Sequence, residues 1–425
     1  MSTRTARERR VPPAEQPRDG DVPLSRRPEI DLLRVVAMLC VFVVHAAEPF
    51  NPWDEWHVRS PERSKWLGEL VLFLAPWVMP LFILLAGMSA WHSLGKRTAR
   101  AYLHERVTRL IIPLAAGILL LVPPQVYLDR RQRGLFEGSF VAFYPRFFDG
   151  VYPNGNFAWL HLWFLGILAA LALVTLPLFR WLRGAAGRRA MARIATVCAR
   201  PGGILLLALP IIAVRMALWA TFPHARPIVA DWSNRTTLLA VFVTGYLLGG
   251  APRLMESVDR QWKGALGVAL AFSAGMFVWA WPGNVTERFE VPFTARYVSF
   301  WSAYTVGAWA WSVALLGAAR TVRRSPRRLL DLGGRVLNPF YMLHQTVVVM
   351  LAFPLVALGV GPGLTFAGLS LGAFATTIGL CALAERTRLT RFLFGMHARA
   401  VPLRRRSRPG GPRGWRHAHD VGTPA

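Results

Sequence analysis

Two cationic side chains interrupt an otherwise apolar run near the start of the chain: Arg34, and His45 eleven positions on. At about 100° per residue, eleven steps make three turns and a small remainder, so both fall on one helix face, about 16 Å apart along the axis. An imidazole titrates near neutrality and suits general-base work on a hydroxyl. A guanidinium suits anions and phosphates. Each has an acid three residues away, Asp31 beside Arg34 and Glu48 beside His45, placed to pair with the first and to orient the second. A second pair, Arg106 and Arg109, precedes an apolar run in Glu105-Arg106-Val107-Thr108-Arg109-Leu110-Ile111-Ile112-Pro113. In an α-helix their spacing of three sets both guanidinium forks on one face, an arrangement that suits phosphate groups. His161 and Trp163 open a further apolar run, and His344-Gln345 lie inside another, with Arg215 in a fifth. Ionisable groups at such positions are costly and mark function by default.

Other chemistries find no support. There is no HExxH, phosphate-binding loop or acidic cluster suited to a metal, and the spacing of His45, His161 and His344 does not suggest one. The three cysteines, Cys40, Cys198 and Cys381, have no short-spaced pair, which argues against a disulfide framework or a thiolate metal site.

The elements that must hold these residues are membrane helices. The 425 residues are 53% hydrophobic, with 17 Trp and 25 Phe, yet carry a net charge of +27. A soluble basic protein rarely combines these properties. The apolar patterning predicts an all-α polytopic membrane protein of about ten transmembrane helices, near 31–50, 68–93, 110–127, 159–179, 203–222, 236–251, 264–282, 297–319, 337–358 and 363–384. The first is too long for a signal peptide and lacks a small-residue cleavage site, so it reads as an uncleaved helix. With the N-terminus in the cytoplasm, 37 Lys and Arg fall in cytoplasmic segments and 11 outside, which sets both termini inside the cell. Residues 1–28 and 397–425 read as disordered basic cytoplasmic tails, and 29–396 as the membrane domain. The arginines of the tails suit anionic lipid rather than nucleic acid.

These motifs resemble the acyltransferase-3 family of integral membrane acyltransferases, over roughly residues 28–396. The resemblance rests on Ile30-Asp31-Leu32-Leu33-Arg34 with His45, and on Arg106-Val107-Thr108-Arg109. Within the family the chain is most similar to the glucan-biosynthesis protein C-like group, through Met79-Pro80-Leu81-Phe82 with Gly87, His161-Leu162-Trp163-Phe164-Leu165, Pro339-Phe340-Tyr341 with Leu343-His344-Gln345, and Phe394-Gly395. Ala86-Gly87 stands where many members have Ser-Gly.

The resemblance implies O-acylation of a carbohydrate or glycosylated acceptor, with cytoplasmic acyl-CoA as cosubstrate and no permanently bound cofactor. Arg106 and Arg109 would hold the CoA phosphates and Arg34 would guide the pantetheine arm. His45 would act as general base, with Glu48 fixing its tautomer. His161, Trp163, His344 and Gln345 are expected on the acceptor side. The outer aromatic segments, with Trp53, Trp56, Tyr152 and Trp159, suit either sugar stacking or an interfacial belt. The expected location is the inner (plasma) membrane. A polytopic transporter or flippase of a glycan or lipid would also use ten spans and buried His and Arg residues, but would not require the arginine pair. N-acetyl transfer to an amino sugar is a third chemistry, separable by product analysis.

Overall fold

Backbone in a lipid interior must satisfy its own hydrogen bonds. The chain, seen in a computed structural model describing residues 28–152, 154–221, 232–280, 294–322 and 327–396, does so by helix. The described residues contain one isolated β-bridge, Val151 to Phe157, and no strand. Helix α1 (Pro28–Ala47) starts at a proline and carries Glu29 and Asp31 in its first turn, where the helix dipole favours acids. Helix α2 (Lys65–Lys96) is capped by Ser64, whose hydroxyl accepts from Leu67 N at 3.4 Å. Helix α3 (Ala99–Arg106) runs through a π-helical turn at Val107–Ile111 into α4 (Ile112–Leu120) and α5 (Val122–Gln132).

A short α6 (Phe140–Phe143) leads to α7 (Trp163–Val174), α8 (Leu176–Arg183) and α9 (Ala185–Cys198). The remaining helices are α10 (Ala208–Thr221), α11 (Trp232–Gly250), α12 (Pro252–Gly275), α13 (Ala295–Thr321), α14 (Arg327–Val356), α15 (Pro362–Ala384) and α16 (Arg388–Leu393). The core sits where α1, α2, α11 and α14 meet, and α12 with α13 and α14 with α15 form flanking pairs. Helices α2 and α11 touch backbone to backbone: a Cβ on Gly87 would lie 2.1 Å from Phe242 O, and one on Gly245 would lie 2.1 Å from Leu84 O. Small residues permit this approach between membrane helices.

Five described helices are long and apolar enough to cross a membrane: Pro28–Phe50, Lys65–Lys96, Ala99–Gln132, Gly333–Val356 and Pro362–Ala384. The number rises to seven if each of two bent pairs is one span, Leu160–Val174 with Leu176–Arg183 (49°) and Thr237–Gly250 with Pro252–Val278 (103°). The described residues therefore account for five to seven of the expected ten spans. The stretches expected at 236–251 and 264–282 are arms of one sharply bent pair. The stretch at 203–222 gives the shorter apolar helix Gly203–Ala217. The one at 297–319 is helical in α13, which is outside the five. The expected tails fall outside the described residues, apart from Pro28, which opens α1.

Candidate functional site

Helix α1 forms the spine of the site. Its residues Arg34, Met38 and Val41 line one cavity of about 170 Å³, and His45 is the next residue on that face. The same cavity is walled by α2 (Met79, Phe82, Ala86, Ser89), by Tyr102 and Arg106 of α3, and by α7, α11 and α14. Its wall is mostly apolar, with a polar collar of Arg34, Ser89, Tyr102 and Arg106. Arg34 donates from Nη1 to Asp31 Oδ1 at 3.4 Å, and from Nη2 to Ser89 Oγ. The Arg106 guanidinium lies 4.8 Å from the Tyr102 ring centroid, and its Nε has no hydrogen-bond partner among the described residues.

The expectation that Arg106 and Arg109 share a face is corrected here. The chain widens into a π-turn directly after Arg106, with Ile112 N donating to Val107 O, so a spacing of three no longer brings side chains into line. Arg106 reaches the cavity, whereas Arg109 does not line it and pairs with Glu105 at 3.4 Å, beside Arg97 at 3.1 Å from the same carboxylate. Both arginines stay at the Arg34 end of the bundle.

At the other end, α1, α14 and the entry to α7 bring three imidazoles together. His45 and His344 rings are 5.0 Å apart, His161 and His344 are 5.5 Å apart, and His45 and His161 are 6.4 Å apart. Their proton positions follow from their partners. His344 Nδ1 lies 2.7 Å from Tyr341 O and 3.1 Å from Phe340 O. Carbonyls only accept, so in a neutral ring Nδ1 carries the proton and Nε2 the lone pair. His344 Nε2 therefore accepts from His45 Nδ1–H at 2.8 Å, and the His45 lone pair sits on Nε2. A backbone carbonyl thus fixes the tautomer of the first ring through the second. Phe340 stacks on His344 at 5.9 Å and Trp56 stacks on His45 at 6.4 Å, which restrains both rings.

Glu48 was expected to orient His45. It turns instead to Asn51, whose Nδ2 donates to Glu48 Oε2 at 3.0 Å. The helix changes to a 3-10 turn at Glu48–Phe50, which breaks the α spacing on which the expectation relied. His161 donates from Nε2 to Met342 O at 3.0 Å, and Tyr341 Oη donates to His161 O. Trp163 packs edge-on against Phe164 at 6.1 Å rather than against the three imidazoles.

Gln345, next along α14 from His344, projects the other way. Its Nε2 donates to Gln125 Oε1 at 3.0 Å, and Gln125 Nε2 donates to Thr346 Oγ1 at 2.8 Å and Leu121 O at 2.9 Å. This network closes the break between α4 and α5. Arg215 lies apart, against Trp301 at 4.3 Å, lining a second cavity of about 40 Å³. Among the described residues no three His, Cys, Asp or Glu side chains are arranged to hold a metal ion. The imidazole nitrogens bond to one another and to carbonyls rather than converge on a point.

Sequence reasoning missed several neighbours. Ser89 and Tyr102 complete the polar collar, but each reads as an ordinary helix residue in isolation. Beyond His45, His57 is buried between Trp56 (5.5 Å) and Tyr152 (6.2 Å). Burial, and then the nearby charges of Arg133 and Arg130, push its imidazole down to about 4. Asp129, fully buried, braces this region through Arg133 Nε at 2.8 Å and Arg130 Nη1 at 3.5 Å, and Arg130 Nη2 bonds Gly155 O at 2.6 Å. The Asp129-Arg130 and Arg133 spacing is the sequence signal for this brace.

Residues 27–386 match the acyltransferase domain family. The glucans biosynthesis protein C of Salmonella paratyphi B is 26% identical over 275 residues, covering 60% of this chain and 67% of that protein. The proteins of the same name from Salmonella dublin and Salmonella enteritidis PT4 align equally well. No solved structure matches. A family match over most of the chain, on a bundle of apolar helices that seats the arginine of its first helix in a cavity, places this protein in the acyltransferase-3 family of multi-pass membrane acyltransferases.

Proposed function

We propose that the protein is an O-acyltransferase that moves an acyl group from cytoplasmic acyl-CoA to a hydroxyl of a carbohydrate, with His45 as general base. The observation that carries this reading is the relay from the Tyr341 carbonyl through His344 to His45, which leaves the His45 Nε2 lone pair open beyond a cavity that has Arg34 and Arg106 at its other end. Arg106 and Arg34 would receive the phosphates of CoA, with Arg109 close by, and the mostly apolar cavity would take the pantetheine arm. The acceptor hydroxyl would then give its proton to His45 Nε2 as its oxygen attacks the thioester carbonyl. Collapse of the adduct would expel the CoA thiolate, which takes the proton back from Nε2. One O–acyl bond forms, one S–acyl bond breaks, and the base is restored.

The relatives are named for glucan biosynthesis, which supports a glucan as the acceptor class. The split of 37 and 11 basic residues supports ten spans with both tails in the cytoplasm, in the inner membrane, so that donor and acceptor approach from opposite sides. The test is direct. Purified protein given acetyl-CoA and a glucan should release CoA and acylate the glucan, and His45→Ala should do neither. A wild-type protein that carries the glucan across a bilayer without releasing CoA would replace this reading with a transporter.

A further inference from the structure

The imidazole nitrogens of the cluster are unequally partnered. His344 uses both: Nδ1–H is held by two carbonyls, and Nε2 accepts from His45. His161 uses only one. Its Nε2 lies 3.0 Å from the Met342 carbonyl, which cannot donate, so Nε2 carries the proton and Nδ1 carries a lone pair. That Nδ1 is buried with no hydrogen-bond partner among the described residues, on a residue only 6% exposed. A buried acceptor without a donor is expensive.

The structure holds it there firmly. Tyr341 Oη grips the His161 carbonyl while His161 Nε2 grips the Met342 carbonyl, a reciprocal clamp between adjacent residues of two segments. The preceding residue, Leu160, has φ of 40°, the one positive value among the described non-glycine residues. A branched side chain is strained at such a φ, and strain of this kind gathers where a neighbouring group must be aimed.

The cluster therefore offers two lone pairs, His45 Nε2 and His161 Nδ1, on rings 6.4 Å apart. Both accept, and neither donates. One hydroxyl satisfies only one of them.

We infer that the acceptor is recognised as a diol: one hydroxyl binds His45 Nε2 and is acylated, and a neighbouring hydroxyl of the same sugar donates to His161 Nδ1. His161 is then a specificity-determining residue, and a mono-alcohol leaves its buried lone pair empty. This inference rests on the reading of His45 as the base that receives an acceptor hydroxyl.

The test uses the full chain in lipid nanodiscs. The probes are methyl β-glucoside and its monodeoxy analogues, read first by binding without donor and then by transfer from acetyl-CoA. Wild-type protein should bind the parent about tenfold more tightly than at least one monodeoxy analogue. His161→Gln keeps a donor near the Met342 carbonyl but loses the acceptor at Nδ1. It should weaken the parent about tenfold and leave that analogue unchanged. His161→Asn, with an acceptor near the Nδ1 position, should retain the discrimination.

Wild-type protein that binds every monodeoxy analogue like the parent overturns the inference, as does His161→Gln that weakens all of them equally. If His161→Gln fails to fold, the wild-type deoxy series and His161→Asn decide. Selective binding without any transfer would remove the acyl-transfer reading alone. Transfer with indiscriminate binding would remove the diol alone.

Discussion

Two buried polar clusters lie side by side on α14, and they are built to opposite rules. In the Gln125–Gln345–Thr346 network, amides and hydroxyl bond to each other and to the Leu121 carbonyl. In the imidazole cluster one step away, His344 is fully bonded, while no described residue donates to His45 Nε2 or His161 Nδ1. A network satisfied by protein groups closes a helix break. One that stops short of satisfaction leaves a place for a ligand. Neighbouring residues of similar polarity can therefore differ wholly in role, and the difference lies in which lone pairs remain.

The largest effect that bears on this contrast is expected at His45. His45→Ala should lower kcat by about 10²–10⁴-fold, the usual contribution of a general base, with the melting temperature little changed. A variant that turns over normally while folded would remove the base from the mechanism. His344→Leu comes next. It removes the acceptor that fixes the His45 tautomer, so kcat should fall by about tenfold or more with KM for acyl-CoA nearly constant and the pH–rate profile shifted. An unshifted profile would mean that His344 only packs.

On the satisfied side, Gln125→Leu strands Gln345 Nε2 and should cost about 1–3 kcal/mol of stability, read by thermal unfolding in detergent, while turnover per folded molecule stays within about twofold. A large loss of turnover there would erase the distinction between the clusters. Arg106→Ala should raise KM for acetyl-CoA about tenfold and leave KM for acetyl-pantetheine, which lacks the nucleotide phosphates, unchanged. An equal rise for both donors would move Arg106 off the phosphates.

The last effect, confined to stability in acid, belongs to His57. Its folded value of about 4 lies below the unfolded value of 6.5, so the unfolded chain binds the proton first. Stability is retained above pH 6.5 and is lost as pH falls from 6.5 towards 4, at no more than about 1.4 kcal/mol per pH unit. His57→Asn should flatten that slope in melting curves. An unaltered slope would assign the acid sensitivity elsewhere.

Helical class, the apolar spans and the common face of Arg34 and His45 were legible because each depends on local periodicity alone. The cluster was legible only in part. His45 and His344 are 299 residues apart, and nothing in either helix announces that they meet. Glu48, three residues from His45, was the natural local partner, and the switch to a 3-10 turn removed it. Arg109 was misplaced for a similar reason, since one π-turn is invisible in an apolar run and resets the face of every residue after it. Gln345 was grouped with His344 by adjacency, although neighbours on a helix point about 100° apart.

The backbone contact between α2 and α11 has a mechanical consequence. Phe82, Ala86 and Phe242 contribute to the cavity from two helices that leave no room for even a methyl group at Gly87 or Gly245. That wall is an anvil: it cannot yield without separating two main chains. Helix α7 faces the same chamber with Leu165, Leu168 and Ala172 and ends in a bend of 49°. The chamber is thus lined by two helices locked main chain to main chain and by the bent helix that His161 introduces.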